Sequence, residues 1–272
     1  MLAHDVVGDA GAPAALVFVH GILGSRNNWR AFAKKLVEQA PGWRAITVDL
    51  RNHGDSHGFA PPHTIDACAE DLRALTATTG ADVVVGHSFG GKVALAYAAA
   101  GAEQRALAHT WILDAPPGPR ALGGSDIERV LDVVRAIPLP VESRRALVDE
   151  AVARGLSMAL AQWLTTSLRE VERGFAWRFD VDAIPAMLAS FAALDLWPVV
   201  EGADKPPTPG DRLHFVIGGR SDRFTAADRA RLARTRAAVH VLERAGHWVH
   251  TDDPAGLLAL LLPSLERPGD AS

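Results

Sequence analysis

A serine hydroxyl becomes a useful nucleophile near neutral pH only when an imidazole can take its proton and a carboxylate orients that imidazole. Residues suited to that chemistry are spread along this chain. Ser88 stands in Gly86-His87-Ser88-Phe89-Gly90, directly after the apolar run Val83-Val84-Val85 and before a small-residue run from Lys92 to Ala100. Strand, glycine-bracketed serine, then helix is the order that lifts a hydroxyl onto a sharp turn clear of a sheet edge. A helix entered at Phe89 aims unpaired N–H groups at that turn and favours a developing negative charge there. A glycine-rich chain contains Gly-x-Ser-x-Gly by chance as well, so the setting is what makes Ser88 a candidate nucleophile.

Of the eleven histidines, His247 is the best-placed base. It lies in Ala245-Gly246-His247-Trp248-Val249-His250, in the loop after the last predicted strand. His250 is expected to hydrogen-bond locally or face solvent, and His87 to point away from the oxyanion side. Two residues compete as the acid. Asp222 sits just past a late strand, in Gly219-Arg220-Ser221-Asp222, whereas Asp114 ends the strand that follows the Ser88 helix. Either could instead cap a loop at a strand end, and the residues leave the choice open. A tetrahedral oxyanion needs two backbone donors, which nominates the amides of Phe89 and of Ile22 in the turn His20-Gly21-Ile22-Leu23-Gly24.

Other clusters point to plainer roles. His53, His57 and His63 share one loop without carboxylates at ligand spacing, so a flexible rim is expected there rather than a metal site. Arg144-Arg145 reads as a solvated helix face, and Lys92 as lying outside the pocket. Met158, Leu160, Trp163, Leu164, Met187, Leu188 and Phe191 read as the core of a helical region, some of them lining a cleft. No cofactor or metal is called for.

These residues need elements to position them. Ala14–Val19, Trp43–Leu50, Val83–Val85 and His109–Asp114 are apolar runs typical of strands buried on both faces. Helical periodicity separates them at Asn28–Gln39 and Ile65–Thr79, the latter capped by Thr64, with Cys68 as a small buried residue. That alternation predicts an α/β fold with a mostly parallel central sheet flanked by helices. From Asp126 to about Asp195 only helical segments are read, at Ile127–Ala136, Val141–Arg154, Leu156–Leu168 and Val181–Leu194, with a short extended piece at Phe175–Phe179. The expected organisation is a core of residues 1–119 and 207–272, carrying a helical cap of residues 120–206 closed by the linker Lys205–Gly210. The sheet resumes at Leu213–Ile217 and Val239–Leu242, with a helix at Ala226–Ala233 between them and a final one at Pro254–Leu262.

Composition narrows the classes. The 272 residues, 48% hydrophobic and 22% charged with a net charge of −4, suit a soluble globular protein with no basic footprint for nucleic acid. A single cysteine excludes an internal disulfide. No secretory signal or membrane span is read, so a cytoplasmic location is expected. Oligomeric state is not legible.

Four strings together, His20-Gly-Ile-Leu-Gly-Ser, Asp49-Leu-Arg-Asn-His-Gly-Asp-Ser56, Gly86-His-Ser-Phe-Gly-Gly-Lys92 and Gly246-His-Trp-Val-His250, resemble the α/β-hydrolase superfamily. More narrowly they are similar to its YbfF-type esterases and related mitochondrial abhydrolase proteins. The resemblance implies the α/β-hydrolase fold with an inserted cap, Ser88 as nucleophile and His247 as base. It implies cofactor-free cleavage of small esters or thioesters through an acyl-enzyme. It favours Asp114 as the acid, because the post-cap position is often not acidic in that group; Asp222 departs from the pattern and stays open. The same residues would serve a carbon–carbon bond hydrolase, a lactonase or a synthase-like lyase, and a ligand receptor with vestigial catalysis is the reading from another class.

Overall fold

The computed structural model describes residues 1–99, 107–121, 126–202 and 212–266. The chain order is β1 (His4–Val7), β2 (Ala14–Val19), α1 (Asn27–Gln39), β3 (Trp43–Val48), α2 (Ile65–Thr79), β4 (Val83–His87), α3 (Phe89–Ala99) and β5 (His109–Leu113). An insert follows, with α4 (Asp126–Ala136), α5 (Arg144–Ala153), α6 (Met158–Leu164), β6 (Leu168–Val171), β7 (Gly174–Trp177), α7 (Ile184–Ala193) and α8 (Trp197–Glu201). The chain then returns through β8 (Arg212–Gly218), α9 (Ala226–Leu232), β9 (Ala238–Leu242), α10 (Val249–Asp252) and α11 (Pro254–Leu261).

Among the described residues seven strands form one sheet in the order β1-β3-β2-β4-β5-β8-β9. Only β1 runs antiparallel, pairing His4 with Val48 through Val7 with Ala45; the other pairs are parallel. Every residue of β2 and β4 is buried. The alternation of side chains along a strand sends Val17, Val19, Val84 and Ile112 to the layer holding Leu72 of α2 and Val93 of α3. Leu16, Phe18, Val83, Val85 and Trp111 face the other layer, with Trp29 of α1 and Leu257 of α11. Both faces being covered is why these strands read as unbroken apolar runs. The helix caps are local: the Thr64 hydroxyl accepts from Ala67 N, and Gly80, at φ 70°, returns its N–H to Thr76 O.

The insert departs from the helices-only expectation. The segment expected to be helical through Leu168 ends at Leu164, tightens into a 3-10 turn at Thr165–Ser167, and continues as β6. Thr165 and Thr166 return their hydroxyls to the carbonyls of Gln162 and Trp163, at 2.7 and 2.8 Å, which draws the backbone out of α-helical geometry. β6 pairs antiparallel with β7, and Val141 pairs with Phe175, so α5 starts only at Arg144, capped by Ser143. Pro185 at the start of α7 delays that helix to Ile184. Met158, expected in the core, is 53% exposed. The Lys205–Gly210 linker and the boundary at 206/207 lie outside the described residues. Among the described residues no helix is long and apolar enough to cross a membrane.

Candidate active site

Parallel strands all end on one side of the sheet, and the exits of β2, β4, β5, β8 and β9 bring the candidate residues there. β4 delivers Ser88 on a turn with φ 53°, a left-handed conformation that strains a residue carrying Cβ. The turn is fixed by Ser88 N–H donating to Leu113 O at 2.9 Å, while Ser88 O accepts from Gly91 N and Lys92 N. Its glycines are required by close approach. A Cβ on Gly86 would stand 2.1 Å from Gly90 O, and one on Gly90 would stand 2.5 Å from His20 O. Helix α3 can therefore begin against β4 and against the β2 exit only with glycine at both positions.

His247 Nε2 lies 3.1 Å from Ser88 Oγ, and its Nδ1 lies 2.7 Å from Asp114 Oδ2. Nδ1–H donates to the carboxylate, which leaves the Nε2 lone pair to accept the serine proton. Asp114 sits at the end of β5 at φ 49°, its side chain fully buried. Its Oδ1 accepts from Gly218 N at 3.2 Å, and Oδ2 also accepts from the Ser221 hydroxyl, so the carboxylate cannot turn away from the imidazole. Asp222 is placed differently. Its side chain is 89% exposed, with Arg223 Nε at 3.5 Å, and its contact with the site is at the cavity rim.

The amide of Phe89 is the first of α3 and has no acceptor within the helix. Ile22 borders the same cavity, and its N–H donates to no backbone carbonyl among the described residues. The cavity measures about 430 Å³ and reaches from Ser88, His247 and Asp114 to an apolar wall of Ile127, Val130, Leu160, Trp163, Leu188 and Phe191. The Trp163 and Trp248 rings, both in its lining, lie 6.1 Å apart, and Phe191 stacks on Phe89 at 5.8 Å.

Several residues behave otherwise than the sequence suggested. His53 is fully buried rather than part of a flexible rim: its Nε2 accepts from Leu23 N at 3.1 Å. His63 contacts the Asn52 amide at 3.0 Å. His250 is half-buried and lines the cavity; its ring packs 4.4 Å from Trp29, and burial lowers its pKa to about 4. Lys92 does lie outside the cavity lining, yet it is only 1% exposed. Its Nζ donates to Gly118 O at 2.9 Å and Phe191 O at 2.7 Å, tying α3 to α7, and burial lowers its pKa to about 8. Arg145 is solvated as expected, pairing with Asp149 along α5.

Comparison with known proteins agrees with this architecture. Residues 16–260 match the family described as "Alpha/beta hydrolase family". The mouse sn-1-specific diacylglycerol lipase ABHD11 is 32% identical over 256 residues, covering 91% of this chain and 79% of that protein. Esterase YbfF of Escherichia coli K12 is 27% identical over 248 residues, covering 89% of each. Among solved structures, a marine microorganism esterase superposes with a TM-score of 0.80 at 22% identity, over 96% of this chain and 98% of its own. The match across most of the chain, added to the sheet order and the serine turn, establishes that this protein belongs to the α/β hydrolase family.

Proposed function

We propose that this protein is a serine hydrolase cleaving a small carboxylic ester or thioester through a covalent acyl-enzyme. The observation that carries this reading is the placement of one imidazole between Ser88 Oγ at 3.1 Å and Asp114 Oδ2 at 2.7 Å, on the wall of a cavity that can hold an acyl group. Names of relatives support the ester class, since one is called a lipase and another an esterase.

Ser88 Oγ attacks the carbonyl carbon while His247 Nε2 takes its proton. Asp114 holds the imidazole in the productive tautomer and stabilises the imidazolium. The amides of Phe89 and Ile22 receive the oxyanion, each donor lowering the barrier by about 3 kcal/mol. His247 then protonates the leaving alcohol or thiol, and water activated by the same imidazole releases the acid. Asp222 is a rim residue in this scheme. Residues 120–206 act as a cap whose Leu160, Trp163, Leu188 and Phe191 favour an apolar substituent. Turnover of p-nitrophenyl butyrate by the wild type, abolished in Ser88→Ala, tests the reading; turnover by Ser88→Ala at the wild-type rate overturns it.

A further inference from the structure

Leu23, the residue after the proposed oxyanion donor Ile22, is gripped from two sides. Its N–H donates to His53 Nε2 at 3.1 Å, and its carbonyl accepts from the hydroxyl of Ser167. It holds φ at 61°, a left-handed conformation costing an L-residue about 1 kcal/mol, so those partners maintain a backbone the residue would not choose. They come from different parts of the chain. His53 belongs to the loop after β3, whereas Ser167, 1% exposed, belongs to the insert between α6 and β6.

The imidazole contact is one half of a reciprocal pair. His53 Nδ1–H donates to Arg51 O at 3.0 Å, which leaves Nε2 as the acceptor for Leu23 N. In return His20, from the β2 exit, accepts Leu50 N on Nε2 at 3.0 Å while its Nδ1–H donates to Gly21 O at 2.7 Å. Each loop thus sends a neutral imidazole to a backbone amide of the other. Burial lowers the pKa of both rings, that of His53 to about 3, which preserves the acceptor nitrogens near neutrality. The insert engages the His53 loop as well: Phe179 bridges to His53, and Asp180 N–H donates to Asn52 O at 2.8 Å.

We infer that Ser167 and His53 are positioning residues for the oxyanion turn, so that seating of the insert on the core sets the placement of the Ile22 amide. The insert then does more than wall the cavity; its contacts with the turn help set the electrostatic half of the site. This inference rests on the proposal that the turn supplies an oxyanion donor.

The test compares Ser167→Ala and Ser167→Thr with Ser190→Ala. Ser190 supplies a different contact between insert and core, accepting Ile65 N at 3.0 Å. Two readouts are taken: kcat and KM on p-nitrophenyl butyrate, and amide hydrogen exchange across residues 20–25 by mass spectrometry, which needs no turnover. Ser167→Ala is expected to lower kcat about fivefold or more, with KM within about twofold, and to speed exchange across the turn. Ser167→Thr should restore both quantities, and Ser190→Ala should leave both near wild type. Should Ser167→Ala fold poorly, Ser167→Cys, a weaker donor of similar volume, carries the same readouts. Unchanged exchange in the Ser167 variant, an unchanged kcat, or an equal loss in Ser190→Ala overturns the inference. A wild type without esterase turnover whose turn nevertheless loosens in Ser167→Ala would overturn the esterase reading and leave the coupling standing.

Discussion

The side chain of His87 donates from Nε2 to the backbone carbonyl of His247 at 2.8 Å, so the neighbour of Ser88 holds the chain that carries the proposed base. Its ring lies 4.8 Å from those of both His247 and His250. Burial holds its pKa well below the ordinary histidine range, with the adjacent imidazoles adding to the effect. A neutral, buried imidazole is therefore available as a fixed donor.

Replacing His87 with Phe keeps a ring in that space and removes the donor. Turnover is expected to fall about tenfold through kcat with KM little changed, because the His247 loop loses a tether while the apolar wall stays intact. Steady-state kinetics on p-nitrophenyl butyrate read this directly. A change confined to KM would contradict the role.

Asp114→Asn should cost about 10³–10⁴-fold in kcat, since an amide in place of the carboxylate permits the wrong imidazole tautomer and withdraws the partner of the imidazolium. Asp222→Asn should stay within about twofold of wild type, as expected of an exposed rim substitution. The same kinetic assay on both variants decides between them; the opposite pattern would make Asp222 the orienting acid.

How much of this was legible in the residues follows from range. Ser88 and His247 stood out as candidates because each signal is local: a glycine-bracketed serine after a strand, and a histidine in the loop after the last strand. The residues alone left the acid open, with the family resemblance favouring Asp114, because Asp114 and Asp222 follow neighbouring parallel strands and spacing does not tell which side chain turns toward His247. That is decided by the left-handed backbone at Asp114 and its hydrogen bond from Gly218, a contact 104 positions away in sequence. The buried strands were legible as apolar runs, whereas β1 was missed: a four-residue edge strand with one exposed and three half-buried positions leaves little pattern. The burial of His53, His87 and Lys92 was not legible, because polar residues buried by distant backbone partners look, in sequence, like surface polarity.

Several buried imidazoles make stability depend on pH with a definite sign. The folded pKa of His250 is lowered to about 4 and that of His53 to about 3, from an unperturbed 6.5. Between those values the unfolded chain binds more protons than the native one. The stabilisation is thus complete above pH 6.5 and is lost as pH falls from 6.5 toward 4 and then 3. Each ring contributes a slope of at most about 1.4 kcal/mol per pH unit. Urea midpoints should fall steadily from pH 7 to pH 5, and His250→Gln should flatten the curve. A midpoint independent of pH across that interval would contradict the burial of neutral rings.

Lys92→Met preserves the length of the side chain and deletes two hydrogen bonds to buried carbonyls. A loss of about 2 kcal/mol in unfolding free energy is expected. KM should rise as well, because the Phe191 wall of the cavity is no longer tied to α3. Chemical denaturation and kinetics check the two parts. Wild-type stability in this variant would mean that the ammonium does not anchor α7.

The central claim is that the hydroxyl of Ser88 is activated by His247, and covalent labelling measures that most directly. Intact-mass spectrometry after treatment with a fluorophosphonate should show one adduct per chain, located by peptide mapping on Ser88. The adduct should be absent from Ser88→Ala and form at least about a hundredfold more slowly in His247→Ala. A wild-type chain that stays unlabelled, or one that labels as fast without the imidazole as with it, would contradict the claim.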